Sequence, residues 1–285
     1  MNSCNLQGGL GNQLFQIFTT IAYSLEYSKP FFFSNTYQLG TGINGATIRY
    51  TYWETFLSAL KPFLKQIKDV PNMMYIKEKT FNYEKLPENL DKNYGILLVG
   101  YFQSPKYFDK YKFIINRMIK LDLKKMSVNS KVNIDFINES YVSMHFRLGD
   151  YKKYPNVYPI LSQEYYRNSL SFILEQLTNK PKKVLYFCED SDYLDVKNTI
   201  EFLQPLFADL HFVRTNHLLQ DWEQMILMSL CQYNIIANST FSWWGAYLNN
   251  NPNKIVCYPE QWFQPETGHN VDDMFPEDWQ SISLN

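Results

Sequence analysis

From Asn138 onward the sequence settles into a regular alternation that few architectures accommodate. Short apolar runs at 141–147, 183–188, 210–214, 233–238 and 254–258 read as strands. Helical patterns fall between them, over Ser162 to Leu177, Ser191 to Leu203 with Pro205 beyond, Asp221 to Cys231, and Thr240 to Asn249. Strands and helices alternating at this spacing predict an α/β domain with a parallel, doubly wound sheet. In such sheets ligands bind outside the C-terminal ends of the strands, where the connecting loops converge. The residues that follow each apolar run are therefore the first candidates for a site.

Three run ends carry conspicuous polar chemistry. The run from Tyr141 ends in His145, Arg147, Gly149 and Asp150, so one strand delivers a cation and a carboxylate to its own end. Gly149 lets the chain turn sharply and lets a ligand approach the backbone. An ordinary surface Arg and Asp pair explains the same residues and is worth little energetically. Phe187-Cys-Glu189-Asp190-Ser191 turns acidic before a helix, which helix-starting residues alone also explain. The third run ends in Asn238, Ser239 and Thr240, which cap a short helix carrying Trp243, Trp244 and Gly245. Amides and hydroxyls at a helix N-terminus form an anion site, and Gly245 lets that helix sit close to a neighbour. With Arg147 in the same pocket, a diphosphate is gripped by a guanidinium fork on one side and a helix N-terminus on the other. This arrangement needs no metal.

The first half is less regular. Gln7 to Phe15 is a glycine-rich turn entering a helix, in which Leu14, Ile17, Phe18, Ile21, Ala22 and Leu25 fall at helical spacing and Pro30 ends the element. Leu14 stands where a dinucleotide fingerprint needs a third small residue, which argues against a dehydrogenase. Phe31 to Phe33 reads as a buried strand, and 34–50 as a polar irregular region. Gly95 to Phe102 reads as a strand, and Gln103 to Phe108 leads into a helix reaching about Leu121, with Lys120, Lys124 and Lys125 complementing its dipole on a solvated face. The change of texture places a domain boundary near residue 138, giving domains 1–138 and 139–285.

With 27 basic and 28 acidic residues, no bulk field draws the chain to nucleic acid or to an anionic membrane. Any bound anion must be held locally. Cys4, Cys188, Cys231 and Cys257 are scattered without a CxxC pair, which suits reduced thiols in a cytoplasmic protein better than a disulfide frame or a zinc site. No secretory leader is read near Met1, and no run of 18 or more apolar residues exists. The sequons at Asn138 and Asn238 read as accidental. The 22 Tyr and 21 Phe suit either an aromatic core or the covering of sugar faces.

Three motifs together resemble the α-1,2-fucosyltransferases of glycosyltransferase family 11. They are Gly8-Gly-Leu-Gly-Asn-Gln-Leu-Phe-Gln16, His145-Phe-Arg-Leu-Gly-Asp-Tyr151 against the family's His-x-Arg-Arg-Gly-Asp-Tyr, and Asn238-Ser-Thr-Phe-Ser-Trp-Trp-Gly-Ala-Tyr-Leu248. Gly100 to Phe108 is similar to a further family segment. The resemblance implies a GT-B-like fold of two Rossmann-like domains, GDP-fucose as donor, inversion at the anomeric carbon, no metal or other cofactor, and a glycan acceptor offering the 2-hydroxyl of galactose. It implies donor binding by the C-terminal domain, through His145, Arg147, Glu189, Asp190, Asn238, Ser239 and Thr240, with Arg147 and Asp150 as the catalytic pair. The N-terminal domain serves the acceptor, with Asn12 and Gln13 at its helix start. Leu148 departs from the family's second arginine, and Glu189-Asp190 from an Asp-Asp pair. Gln224 replaces an acidic residue, leaving either a relative of GDP-fucose as donor or Asp221 or Glu223 to read the guanine edge. The competing expectations are a noncatalytic glycan-binding module that stacks sugars on its tryptophans, and a transferase using another nucleotide sugar.

Overall fold

A computed structural model describes residues 1–40, 48–66, 73–88, 94–132, 134–136, 138–215 and 218–284. Residues 41–47, within the region read as polar and irregular, lie outside the described residues. The chain divides into two compact units, Met1–Lys124 with Asn270–Pro276, and Lys125–His269 with Glu277–Asn285. The division falls between Lys124 and Lys125, whereas the sequence reading set its boundary near 138, where the first strand of the alternation approaches.

In the first unit, β1 (Ser3–Cys4) leads into α1 (Leu10–Glu26), followed by β2 (Phe33–Ser34), β3 (Gln38–Leu39), β4 (Arg49–Tyr50), β5 (Leu64–Lys65), β6 (Met73–Lys77), β7 (Gly95–Val99), α2 (Lys112–Met118) and α3 (Leu121–Val132), the last of which continues into the second unit. β1, β7 and β6 form a parallel three-stranded sheet in that order, while β2 pairs with β5 and β3 with β4. Helix α1 starts at Leu10 rather than Leu14, because Gly9 already serves as its N-cap. Asn12 and Gln13 thus lie in its first turn. The single helix expected after Gln103 is broken into two 3-10 turns, Pro105–Tyr107 and Asp109–Tyr111, before α2. Lys120, in the left-handed region at φ 55°, separates α2 from α3.

The second unit contains β8 (Tyr141–His145), α4 (Gln163–Glu175), β9 (Lys183–Phe187), α5 (Tyr193–Leu206), β10 (His211–Arg214), α6 (Asp221–Leu230), β11 (Tyr233–Ile235), α7 (Thr240–Tyr247), β12 (Ile255–Pro259) and β13 (Gln280–Ile282). Helix α5 runs past the expected end and holds Pro205 in its last turn, where the helix is about to stop. β13 was not foreseen, since three residues carry too little pattern. All six strands are parallel, in the order β10-β9-β8-β11-β12-β13. The chain therefore winds outward from β8 to β10, then crosses back to β11 and winds the other way. The point where the order reverses lies between β8 and β11.

Strand alternation explains which side chains reach each face. Val142, Met144 and Phe146 join the core with Tyr165, Tyr166, Leu170 and Ile173 of α4 and Val196 and Leu203 of α5. Ser143 and His145 point the other way, toward α6 and α7: Asn234 donates to the Ser143 hydroxyl at 2.7 Å and to the Met228 carbonyl at 2.8 Å, and the His145 and Phe241 ring centroids are 5.6 Å apart. On that side Gly245 meets α6 so closely that a Cβ there would stand 2.8 Å from Met228 Cβ, as its place in the sequence suggested. Lys125 was expected at the end of its own helix. Instead it donates to the Leu248 carbonyl at 2.6 Å, and Lys254 donates to the Ala246 carbonyl at 3.1 Å, so both lysines serve the C-terminal end of α7. No helix among the described residues is long and apolar enough to cross a membrane.

Candidate active site

The reversal point gathers most of the expected residues of the second unit around one edge. β8 and β11 are hydrogen-bonded neighbours, with Met144 opposite Ile235, so the chain leaving each strand emerges beside the other. The backbone carbonyls exposed where the strands part are met from α4. The Tyr166 hydroxyl donates to the His145 carbonyl at 3.1 Å, and the Tyr165 hydroxyl to the Ile236 carbonyl at 2.5 Å. Burial pushes both phenols far up, which keeps them protonated donors.

Beyond β8, Arg147 pairs with Asp150 through one guanidinium nitrogen and with Glu189, from the end of β9, through another. Its guanidinium also lies 5.0 Å from the centre of the Tyr151 ring. One guanidinium facing two carboxylates leaves this trio formally negative, so a phosphate reaching Arg147 must exchange with carboxylates. Glu189 is half exposed and Asp150 a third exposed, so water can receive them. Asp190 does not join the group. It pairs with Arg214 at the end of β10, and that guanidinium stands 4.4 Å from the Tyr193 ring.

His145 is buried, and its Nδ1 has no hydrogen-bond partner among the described residues. Burial, helped by the charge of Arg147, pushes its pKa down to about 3. The ring is therefore neutral near pH 7 and can offer a hydrogen bond but no charge. Leu148, at the position of the family's second arginine, packs against the core of this unit.

The wall after β11 is built differently. Asn238 is fully buried and donates to the carbonyls of Pro159 at 3.0 Å and Trp262 at 3.3 Å, so its amide organises the loop. The same burial closes its sequon to modification in the folded chain. Ser239 is the N-cap of α7 and accepts from the Phe241 amide at 3.3 Å, and Thr240 is the first helical residue. The Tyr151 hydroxyl donates to the Asn238 carbonyl at 2.9 Å and joins the two walls. Trp243 and Trp244 are fully buried, packed with Tyr247 and Trp279. They cannot present faces to a sugar, which removes the main support for a stacking, noncatalytic module.

Other expected residues are bonded to protein groups. Glu223 is buried, accepts from the Gln220 amide at 3.0 Å as part of a capping box, and pairs with Lys131. Gln224 donates to the Leu219 carbonyl at 3.2 Å, and Asp221 accepts from the Trp222 amide at 2.7 Å. In the first unit Gln13 is buried and donates to the carbonyls of Gly8 and Tyr50, at 3.0 and 2.9 Å. The Asn12 carbonyl oxygen accepts from Gln103 at 3.0 Å. Among the described residues no three His, Cys, Asp or Glu side chains are grouped as metal ligands.

Asp192, Lys152, Tyr151, Tyr165 and Tyr166 were not singled out from sequence. The tyrosines carry no signal in a chain with 22 of them, and Asp192 reads as an ordinary helix starter.

Known proteins are similar to the chain over nearly all of its length. An α-1,2-colitosyltransferase of Escherichia coli is 28% identical, over 97% of this chain and 97% of its own. A galactoside 2-alpha-L-fucosyltransferase of Caenorhabditis elegans is 21% identical, over 97% of this chain and 78% of its own. The solved structure of E. coli ADP-heptose lipopolysaccharide heptosyltransferase II superposes with a TM-score of 0.51 at 8% identity, covering 99% of this chain and 90% of that one. With the parallel sheet, that likeness gives the α/β, GT-B-like fold expected from the sequence. The profile of glycosyl transferase family 11 matches residues 1–283, and the chain therefore belongs to this family and is a glycosyltransferase.

Proposed function

We propose that the protein moves fucose from GDP-fucose to the 2-hydroxyl of a galactose in a glycan acceptor, with inversion at the anomeric carbon and without a metal or other cofactor. The observation that carries this reading is the pairing of Arg147 and the α7 N-terminus on adjacent strands at the reversal point of the sheet, in a family 11 chain. Departure of GDP builds positive charge on the sugar ring and negative charge on the leaving phosphate. Arg147 offers a bidentate fork to that phosphate, and the α7 amides offer a partial positive charge. Together they supply the electrostatic stabilisation that the step most needs. Asp150 and Glu189 occupy the fork until the phosphate displaces them, and neutral His145 offers its unpartnered Nδ1 to the ligand. The acceptor hydroxyl attacks from the face opposite the departing phosphate, and an oxocarbenium-like path asks little of a general base. The scattered, unpaired cysteines suit a cytoplasmic setting.

The names of the relatives support a 2-linked product, and they leave one choice open. The colitosyl relative makes a donor carrying colitose in place of fucose the second reading. Thermal-shift measurements with GDP, UDP and NAD, followed by turnover of GDP-fucose and its colitose counterpart on galactosides, decide between them. We expect stabilisation by GDP alone, GDP release only with acceptor, and an α-linked fucose at O2 by NMR. Preference for UDP, or glycan binding without GDP release, overturns the reading.

A further inference from the structure

We propose that Asp192 is a positioning residue that sets the aim of Arg147 through the backbone of Gly149. The inference rests on reading this sheet edge as a nucleoside-diphosphate site. Asp192 closes the 3-10 turn Asp190–Asp192 that runs directly into α5, and its side chain caps no helix amide. Its buried carboxylate is turned to the neighbouring loop, where Oδ2 accepts from the Gly149 amide at 2.6 Å and Oδ1 from Lys152 Nζ at 3.1 Å. Lys152 also donates to Asp195 at 2.6 Å. The turn leaving β8 is thus fastened to the start of α5 at both Gly149 and Lys152.

Gly149 is where that turn is most demanding. Its φ is +32°, and a Cβ there would stand 3.0 Å from Glu189 Oε2, one of the carboxylates on Arg147. Arg147 lies two residues earlier, so the peptide orientation at Gly149 fixes how the guanidinium meets its partners. A buried carboxylate is costly unless fully bonded. Here its bonds go to the turn that carries the cation.

The test is a double-mutant cycle on the full chain, reading GDP affinity by calorimetry beside thermal unfolding. Asp192→Ala should weaken GDP about tenfold in the wild-type background but less than about twofold in Arg147→Ala, because residues acting through one contact are non-additive. Asp192→Asn, which keeps an oxygen for the Gly149 amide, should stay within about threefold of wild type. Should Asp192→Ala not fold, Asp192→Ser, whose hydroxyl stops short of the Gly149 amide, takes its place in the cycle with the same non-additivity expected. Wild-type affinity in Asp192→Ala, losses that multiply with Arg147→Ala, or an Asn variant as weak as Ala overturn the proposal. If UDP or ADP binds in place of GDP, the donor reading falls. The cycle run with that nucleotide still decides the role of Asp192, and a wild type that binds no nucleoside diphosphate overturns both.

Discussion

The two walls at the reversal point hold their shape by opposite means. The β8 wall is a set of partly exposed charges, Arg147 with Asp150 and Glu189, cross-linked by side chains that can change partners. The β11 wall is buried, held by the Asn238 amide on two carbonyls and by the Ser239 cap, with two lysines at the far end of its helix. One wall can exchange a carboxylate for a phosphate, while the other offers a fixed arrangement that has nothing to exchange. Strength of ligand binding should therefore reside in the first, and constancy of geometry in the second.

The largest test of that contrast is Arg147→Ala. Loss of a preorganised donor to a developing charge costs about 100- to 1000-fold in rate. Arg147→Lys should recover only part of it, because an ammonium has no fork. Steady-state kinetics on purified enzyme, with thermal unfolding as control, should show the rate loss without a matching loss of melting temperature. Near-wild-type turnover in either variant breaks the contrast.

A smaller effect comes from His145, whose pKa is pushed from 6.5 down to about 3 by burial and then by Arg147. Between these values the unfolded chain takes up a proton that the folded chain refuses, so stability is lost as pH falls below 6.5. The loss reaches about 2 kcal/mol by pH 5. Thermal unfolding of wild type and His145→Gln across pH 5 to 7 should show a shallower slope in the variant, and parallel slopes would contradict a buried neutral ring.

The smallest effect is expected from Ser239→Ala. Removing an N-cap costs about 1 kcal/mol of stability. Donor affinity should fall only slightly, with its salt dependence unchanged, because salt acts on the charged wall. A loss at Ser239 as large as that at Arg147 would move the main binding contribution to the α7 wall.

Much of this site was legible because its charges follow apolar runs directly. His145, Arg147, Asp150, Glu189 and Asn238 to Thr240 were placed at strand ends by period and by abrupt polarity, and the strand order brings those ends together. Sequence could not reveal how neighbouring side chains divide their partners. Glu189 and Asp190 are adjacent in the chain yet face different arginines. Asp192 looks like any helix starter until its carboxylate is seen turned toward Gly149. Glu223, a candidate reader of the base, is consumed by its own capping box and Lys131. Weak three-residue patterns such as β13, and the break at Lys120, depend on neighbours that local sequence does not name.

The burial of the tryptophans has an optical consequence. Trp53, Trp243, Trp244, Trp262 and Trp279 are all shielded, and Trp222, in the first turn of α6, is only partly so. Emission of the folded chain should be blue-shifted and resist acrylamide, with the quenchable fraction reporting Trp222. Unfolding should then register as a large red shift, a readout independent of any substrate.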